Sequence, residues 1–122
     1  MLNLDPGEPR APSLAPQEAI DRAHLARMTL GDGSLEREVL QLFGRQASML
    51  LARMRQAQPA SVAAFAHTIN GSARSIGAWR VARAAQAVET AVVEGAEARP
   101  AIEALAAAID EALAAITHLR MR

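Results

Sequence analysis

Residues 59–77 read PASVAAFAHTINGSARSIG, and the architecture of the chain can be worked out from this segment. Pro59 suits the first turn of a helix, where its missing N–H is not needed, and Gly77 suits the residue that ends one. On a helical wheel the apolar residues gather on one side, and the predicted buried stripe consists of Val62, Phe65, Ala66, Ile69, Ala73 and Ile76. The segment therefore predicts an amphipathic helix.

Apolar stripes of the same period occur on both sides of this segment. Helices are predicted over 18–29, from an N-cap at Asp32 to about 56, over 78–94 up to Gly95, and from Pro100 to the C-terminus. The second of these is expected to bury Leu35, Val39, Leu42, Phe43, Leu50 and Met54. Short connections between long amphipathic helices favour antiparallel neighbours. The predicted fold is all-α: an antiparallel four-helix bundle with an additional short N-terminal helix.

Residues 1–17 differ in composition from the rest of the chain. They contain four of the six prolines, so we expect a flexible Pro-rich tail, followed by one helical domain over 18–122. No signal peptide or uncharged apolar span is visible, and a soluble cytoplasmic protein is expected.

The composition excludes several classes of function. The 122 residues include 13 basic and 13 acidic side chains, so a general nucleic-acid or membrane binder is not expected. The absence of Lys and Cys removes lysine and thiolate chemistry and cysteine metal sites. His24 and His118 lack the spacing of a helical metal site, so no metal is expected.

His67 lies almost opposite the apolar stripe of the 59–77 helix and is predicted to face solvent. Gly71 lies one turn after His67 on the same face, and Ala63 and Ala64 lie one turn before His67. A glycine inside a helix costs about 1 kcal/mol relative to alanine. A glycine at this position would be explained if its missing side chain leaves space for another molecule to approach the imidazole of His67. The alternative is that Asn70-Gly71 marks a turn at which the helix breaks.

Residues 67–78, HTINGSARSIGA, resemble the signature of histidine-containing phosphotransfer (HPt) domains of bacterial two-component phosphorelays. That signature is His, any residue, an aliphatic residue, Lys, Gly, two small residues, two variable positions, an aliphatic residue and Gly. This chain matches at the His, both aliphatic positions, both Gly and both small positions. A looser resemblance extends over about 20–119, and residues 30–46 are similar to the second-helix region of bacterial members.

The resemblance implies a phosphoryl carrier without autonomous enzymatic activity. His67 would accept a phosphoryl group from a receiver-domain aspartate and pass it to another. No cofactor is implied on this chain, because Mg²⁺ belongs to the partner receiver. The implied partners are response-regulator receivers and a hybrid histidine kinase, and a monomer is expected. A docking surface around His67, built from outer positions of the second and third helices, would include Ala63, Ala64 and Ser75.

One position departs from the family pattern, because Asn70 stands where the family usually has Lys. Asn donates hydrogen bonds but carries no charge. Arg74 lies on nearly the same face and is a candidate for the missing cation, and Gln46 is implied to reach the His67 region and hydrogen-bond there. The departure keeps open an alternative function, a non-phosphorylated adaptor that binds a kinase or response regulator through the same face. An enzyme with a His67 nucleophile lacks a nearby acid or base in the sequence.

Trp79 lies opposite the predicted stripe of the fourth helix, which comprises Val81, Ala84, Ala85, Val88 and Val92. We expect it to pack over the turn at Gly77, and the alternative is a contact with a partner.

Overall fold

A computed structural model of the chain describes residues 18–120. Within that range there are five helices and no strand: α1 (Arg22–Met28), α2 (Gly33–Met54), α3 (Pro59–Ile76), α4 (Trp79–Val93) and α5 (Arg99–Arg120). The all-α prediction is confirmed. The predicted tail at 1–17 lies outside the described residues.

The helix ends follow the predicted capping residues closely. The Asp32 carboxylate accepts hydrogen bonds from the backbone N–H of Ser34 (2.9 Å) and Leu35 (3.1 Å), which satisfies two donors at the start of α2. Gly77 ends α3 in the left-handed conformation with φ of 82°. Since Pro59 is the first residue of α3, both predicted boundaries of that helix are confirmed.

The first helix is shorter than predicted, because it begins at Arg22 rather than Glu18. Asp21 is its N-cap, and the carboxylate accepts from the backbone N–H of His24 at 3.0 Å. Residues 18–21 therefore lead into the helix without belonging to it.

Two hydrogen bonds of Asp21 and one ring contact of His24 fasten α1 to the turn between α3 and α4. Its backbone N–H donates to the carbonyl of Gly77 at 2.8 Å, and its carboxylate accepts from the indole N–H of Trp79 at 2.9 Å. The Trp79 ring also packs edge-on against His24, with ring centroids 4.9 Å apart. Trp79 thus packs over the Gly77 turn, as expected.

The core agrees with the predicted stripe of α3 and corrects that of α2. All members of the α3 stripe are buried except Phe65, which is half-buried. In α2, however, Leu35 and Leu42 are exposed, and the buried positions include Leu40, Ala47 and Leu51 instead. The prediction was wrong there because α2 carries apolar residues around much of its circumference, so the spacing alone did not single out the inward side.

Contacts between elements place the long helices around this core. Helix α3 packs against α2 and α4, and α5 packs against α4 and α2, while α1 lies against α3. Contacts of His67 with Glu89 and of Arg74 with Gln86 show that α3 and α4 run in opposite directions. No helix in the described part of the chain has the length and apolar character needed to cross a bilayer.

Candidate functional site

His67 stands on the outer surface of an unbroken helix. Helix α3 continues through Asn70 and Gly71 to Ile76, so the alternative of a break at those residues is wrong. The side chain of His67 is 80% exposed. A Cβ added to Gly71 would meet no heavy atom within 4 Å, so the space over this glycine is open. The imidazole therefore stands beside a clear patch of helix surface.

A carboxylate from the neighbouring helix holds one nitrogen of this imidazole. Nδ1 of His67 lies 3.2 Å from Oε1 of Glu89, whose side chain is only 25% exposed. Because a carboxylate accepts hydrogen bonds, this contact favours the tautomer with the proton on Nδ1. The lone pair of a neutral imidazole is then on Nε2.

Asn70 and Arg74 extend the contact into a polar chain along the α3–α4 surface. The Asn70 amide donates to Oε2 of Glu89 at 3.4 Å. Arg74 donates from Nε to Oδ1 of Asn70 at 2.9 Å and from Nη2 to Oε1 of Gln86 at 3.2 Å. The guanidinium therefore reaches His67 only indirectly, through Asn70 and Glu89.

Gln46 does not make the implied contact with the imidazole. Its Oε1 accepts a hydrogen bond from the hydroxyl of Ser72 at 2.7 Å. Ser72 lies on the edge of α3 that meets α2, whereas His67 and Asn70 lie on the edge that meets α4. Gln46 thus joins α2 to α3 and lies on the far side of α3 from the imidazole.

The other residues predicted for the docking surface are small, and they lie around His67 without large side chains. Ala64 and Ser75 are exposed and Ala63 is half-buried. The hydroxyl of Ser75 donates to the backbone carbonyl of Gly71 at 3.1 Å, so it turns back onto its own helix. No bulky side chain from these positions stands over the imidazole.

Glu89 is the residue that the sequence reasoning missed. It follows Val88 of the α4 stripe, and its distance along the chain from Ala78 equals that of His67 on the other side. Two antiparallel helices joined at a tight turn place such residues level with each other. This symmetry about the turn could have identified it.

The site has no constellation of metal ligands. Over residues 18–120 there is no group of three or more His, Cys, Asp or Glu side chains arranged to hold a metal ion. What the arrangement offers chemically is one accessible imidazole nitrogen, oriented by a carboxylate.

Comparison with known proteins connects this geometry with a family. A model of the Hpt domain family matches residues 38–118, which is more than half of the chain and includes α3, α4 and His67. Comparisons with curated proteins and with solved structures give no match. The resemblance noted in residues 67–78 is confirmed by the family match.

Proposed function

The chain belongs to the Hpt domain family, and on that premise we propose that it carries a phosphoryl group on Nε2 of His67 between receiver-domain aspartates in a phosphorelay. Histidine phosphotransfer in phosphorelays is the general role of Hpt domains. The observation that carries the assignment to His67 is its exposed ring with Nδ1 held by Glu89.

The geometry supports a simple displacement at phosphorus. The Nε2 lone pair attacks the aspartyl phosphate of a receiver, the P–N bond forms, and the bond from phosphorus to the aspartate oxygen breaks. The receiver's carboxylate leaves with that electron pair, and no proton is transferred. Because the ring gains positive charge as the P–N bond forms, its Nδ1–H bond to the Glu89 carboxylate strengthens during the step.

The polar chain behind Glu89 has a supporting role in this proposal. Asn70 donates to the second oxygen of Glu89, and Arg74 in turn holds the Asn70 carbonyl. This arrangement aims the carboxylate at Nδ1. Arg74 takes the place of the usual lysine only by leaving Asn70 and Gln86, so most of the phosphoryl charge is left to Mg²⁺ and the other groups of the receiver.

The remaining features of the carrier follow from the same premise. The four long helices form the family's antiparallel four-helix bundle within a domain over 18–122. The receiver docks over Gly71, Ala63, Ala64 and Ser75. The chain is a bacterial cytoplasmic phosphoprotein that uses no cofactor of its own and no nucleic acid or membrane partner, and a hybrid histidine kinase supplies its phosphoryl groups.

Phosphotransfer profiling tests the assignment. Purified wild type, His67→Ala and His118→Ala are incubated with phosphorylated receiver domains, and acid-labile label on the chain is measured. His118 is exposed on α5 and serves as the matched control. Label on wild type and His118→Ala but not on His67→Ala is expected. Label that persists in His67→Ala, or no label on wild type from any receiver, contradicts the proposal.

A second function is favoured by one observation, the uncharged Asn70 at the position of the usual lysine. In that case the chain is an adaptor that binds a kinase or response regulator through the His67 surface without being phosphorylated. His67→Ala then leaves partner binding and signalling output intact, whereas a carrier loses its output.

A further inference from the structure

Glu89 contacts the ring nitrogen of His67 that would not carry the phosphoryl group. Its Oε1 lies 3.2 Å from Nδ1, whereas the proposed phosphotransfer uses Nε2. An imidazole that is phosphorylated at one nitrogen still binds or releases a proton at the other. The protonation of Nδ1 therefore remains open after His67 has been phosphorylated.

The two protonation states of a phosphorylated imidazole differ in their leaving group. When Nδ1 carries a proton, breaking the P–N bond releases a neutral imidazole, which leaves readily. When Nδ1 has lost its proton, the same step must release an imidazolate anion, a much stronger base that leaves slowly. A phosphorylated histidine in water therefore becomes long-lived as the pH rises above the range in which ordinary imidazoles titrate, about 6.5.

The surroundings of Glu89 favour a protonated ring. Its side chain is 25% exposed, against 80% for His67, so the carboxylate is largely removed from water. In the part of the chain that the structure describes, the polar contacts of this side chain are with the His67 ring and with the neutral amide of Asn70. The ring is therefore the one group in contact with Glu89 that can become a cation and neutralise its charge.

The other charged groups near the ring do not oppose this effect. Glu94, also from the end of α4, lines the groove beside His67 and adds a second negative charge, and no arginine lines that groove. Arg74 on α3 is engaged by the neutral oxygens of Asn70 and Gln86. Helices α1 and α2, which also pack against α3, bring no charged side chain into hydrogen-bond or ion-pair contact with the ring.

We propose that Glu89 keeps Nδ1 of phosphorylated His67 protonated at and above neutral pH, so that the chain passes its phosphoryl group on quickly and stores it poorly. This inference rests on the proposed phosphorylation of His67. In onward transfer, a carboxylate oxygen of the receiving aspartate attacks phosphorus, the P–O bond forms and the P–N bond breaks. The electron pair of the P–N bond returns to Nε2, the ring becomes neutral, and the proton stays on Nδ1. Loss to water follows the same course, with the proton of the attacking water released to solvent.

Loading with a small phosphoryl donor tests the inference without a receiver. Phosphoramidate phosphorylates accessible imidazoles and releases ammonia, and phosphorus NMR follows the separate signals of phosphorylated His67 and His118. His118 is exposed on α5 and has no hydrogen-bond or ion-pair partner over residues 18–120, so it is an internal control. The variants His67→Ala and His118→Ala assign the two signals.

The rate at which each signal disappears is then measured against pH. At about pH 8, His67 of the wild type is expected to lose its phosphoryl group about tenfold faster than His118, and about tenfold faster than His67 of Glu89→Gln. At about pH 5, where each ring is protonated with or without a carboxylate beside it, this excess disappears. Glu97→Gln, which removes an exposed charge between α4 and α5, keeps the wild-type behaviour. Circular dichroism checks that each variant is folded.

Two results overturn the inference: the same pH dependence for His67 in the wild type and in Glu89→Gln, or a phosphorylated His67 that outlasts phosphorylated His118 at about pH 8. Failure of the proposed function gives a different result, because the wild type then takes no label from receivers while the loss of phosphoramidate-derived label is still measured. A His67 that phosphoramidate does not label contradicts its accessibility and overturns both proposals.

Discussion

Exposure alone does not prepare the imidazole of His67 for attack on phosphorus, because a neutral ring in water exchanges its proton between both nitrogens. The Glu89 contact at 3.2 Å favours the form whose Nε2 is free, and it places a negative charge where the ring becomes positive. The His67 position and its exposure could be predicted from a helical wheel. Glu89 could not be found in that way, since it comes from a different helix and depends on the register of packing.

Glu89→Gln tests this role, because the amide keeps an acceptor oxygen but loses the charge. A hydrogen bond to a charged group contributes about 1.5–3 kcal/mol, so the single-turnover rate of phosphotransfer to His67 is expected to fall by roughly 10- to 100-fold. Glu97→Gln, in the exposed segment between α4 and α5, is the matched control and leaves the rate unchanged. Equal rates in both variants would assign Glu89 to packing alone.

Gly71→Ala tests separately whether Gly71 lowers the stability of the fold and whether it allows the receiver to dock. Nothing lies within 4 Å of the added Cβ, and alanine favours a helix interior by about 1 kcal/mol, so the free energy of unfolding should rise by that amount. If clearance at Gly71 admits the receiver, the transfer rate should fall in the same variant. Chemical denaturation and transfer assays measure the two effects. A more stable protein with an undiminished rate would remove Gly71 from the docking surface.

At the scale of whole helices, local chemistry was a good guide to where each one begins and ends. The residues that begin or end helices act through their own backbone or through donors within three residues, as Asp32, Pro59 and Gly77 do. Their effect can therefore be predicted from the sequence. The inward side of α2 was harder, because it depends on which neighbours cover the helix. Leu42 is apolar and nonetheless exposed, and only the positions of α3 and α5 decide that.

Gly77→Ala should destabilise the junction of α1 with the α3–α4 turn. The backbone φ of 82° is unfavourable for alanine by about 1–2 kcal/mol, and the added Cβ would lie 2.9 Å from both Cβ and the carbonyl oxygen of Asp21. Gly95→Ala is the matched control, since its φ is 69° but its Cβ would meet nothing within 4 Å. Thermal unfolding should show the larger loss for Gly77→Ala. Equal losses of stability in the two variants would mean that Asp21 moves away from the added Cβ without a measurable cost.

The same junction makes the stability of the fold depend on pH. Hydrogen bonds from the Trp79 indole and then from the His24 backbone N–H hold the pKa of the Asp21 carboxyl below its ordinary value of 3.8. A lowered pKa in the folded state means that the carboxylate stabilises the fold above pH 3.8, and that this contribution is lost as the pH falls through 3.8 towards the folded-state pKa. Asp21→Asn should therefore lower the melting temperature at neutral pH, with a difference from wild type that narrows in acid. Asp110→Asn on the surface of α5 controls for charge removal, and a difference that is constant with pH would contradict the assignment.

At the scale of the molecule, a single core joins the four long helices within the part of the chain that the structure describes. Leu105 is fully buried, as are Ile69 and Val88, on helices that pack in a series of neighbouring pairs. An apolar pattern predicts such a core but does not say which pairs of helices touch. The contact between α2 and α5 is an example, because it joins segments distant in sequence.

A shared core and the Asp21 junction predict a single cooperative unfolding transition. Trp79 is the only tryptophan, and it reports on the contact between α1 and α4, while circular dichroism reports on all helices together. The two denaturation curves should coincide. Leu105→Ala should shift both to lower denaturant by the same amount, since a buried Leu→Ala change costs about 2–5 kcal/mol wherever the unfolding is observed. A fluorescence midpoint at clearly lower denaturant than the circular dichroism midpoint would show that α1 detaches before the other helices unfold. The core beneath the His67 surface of α3 and α4 would then be stable without α1.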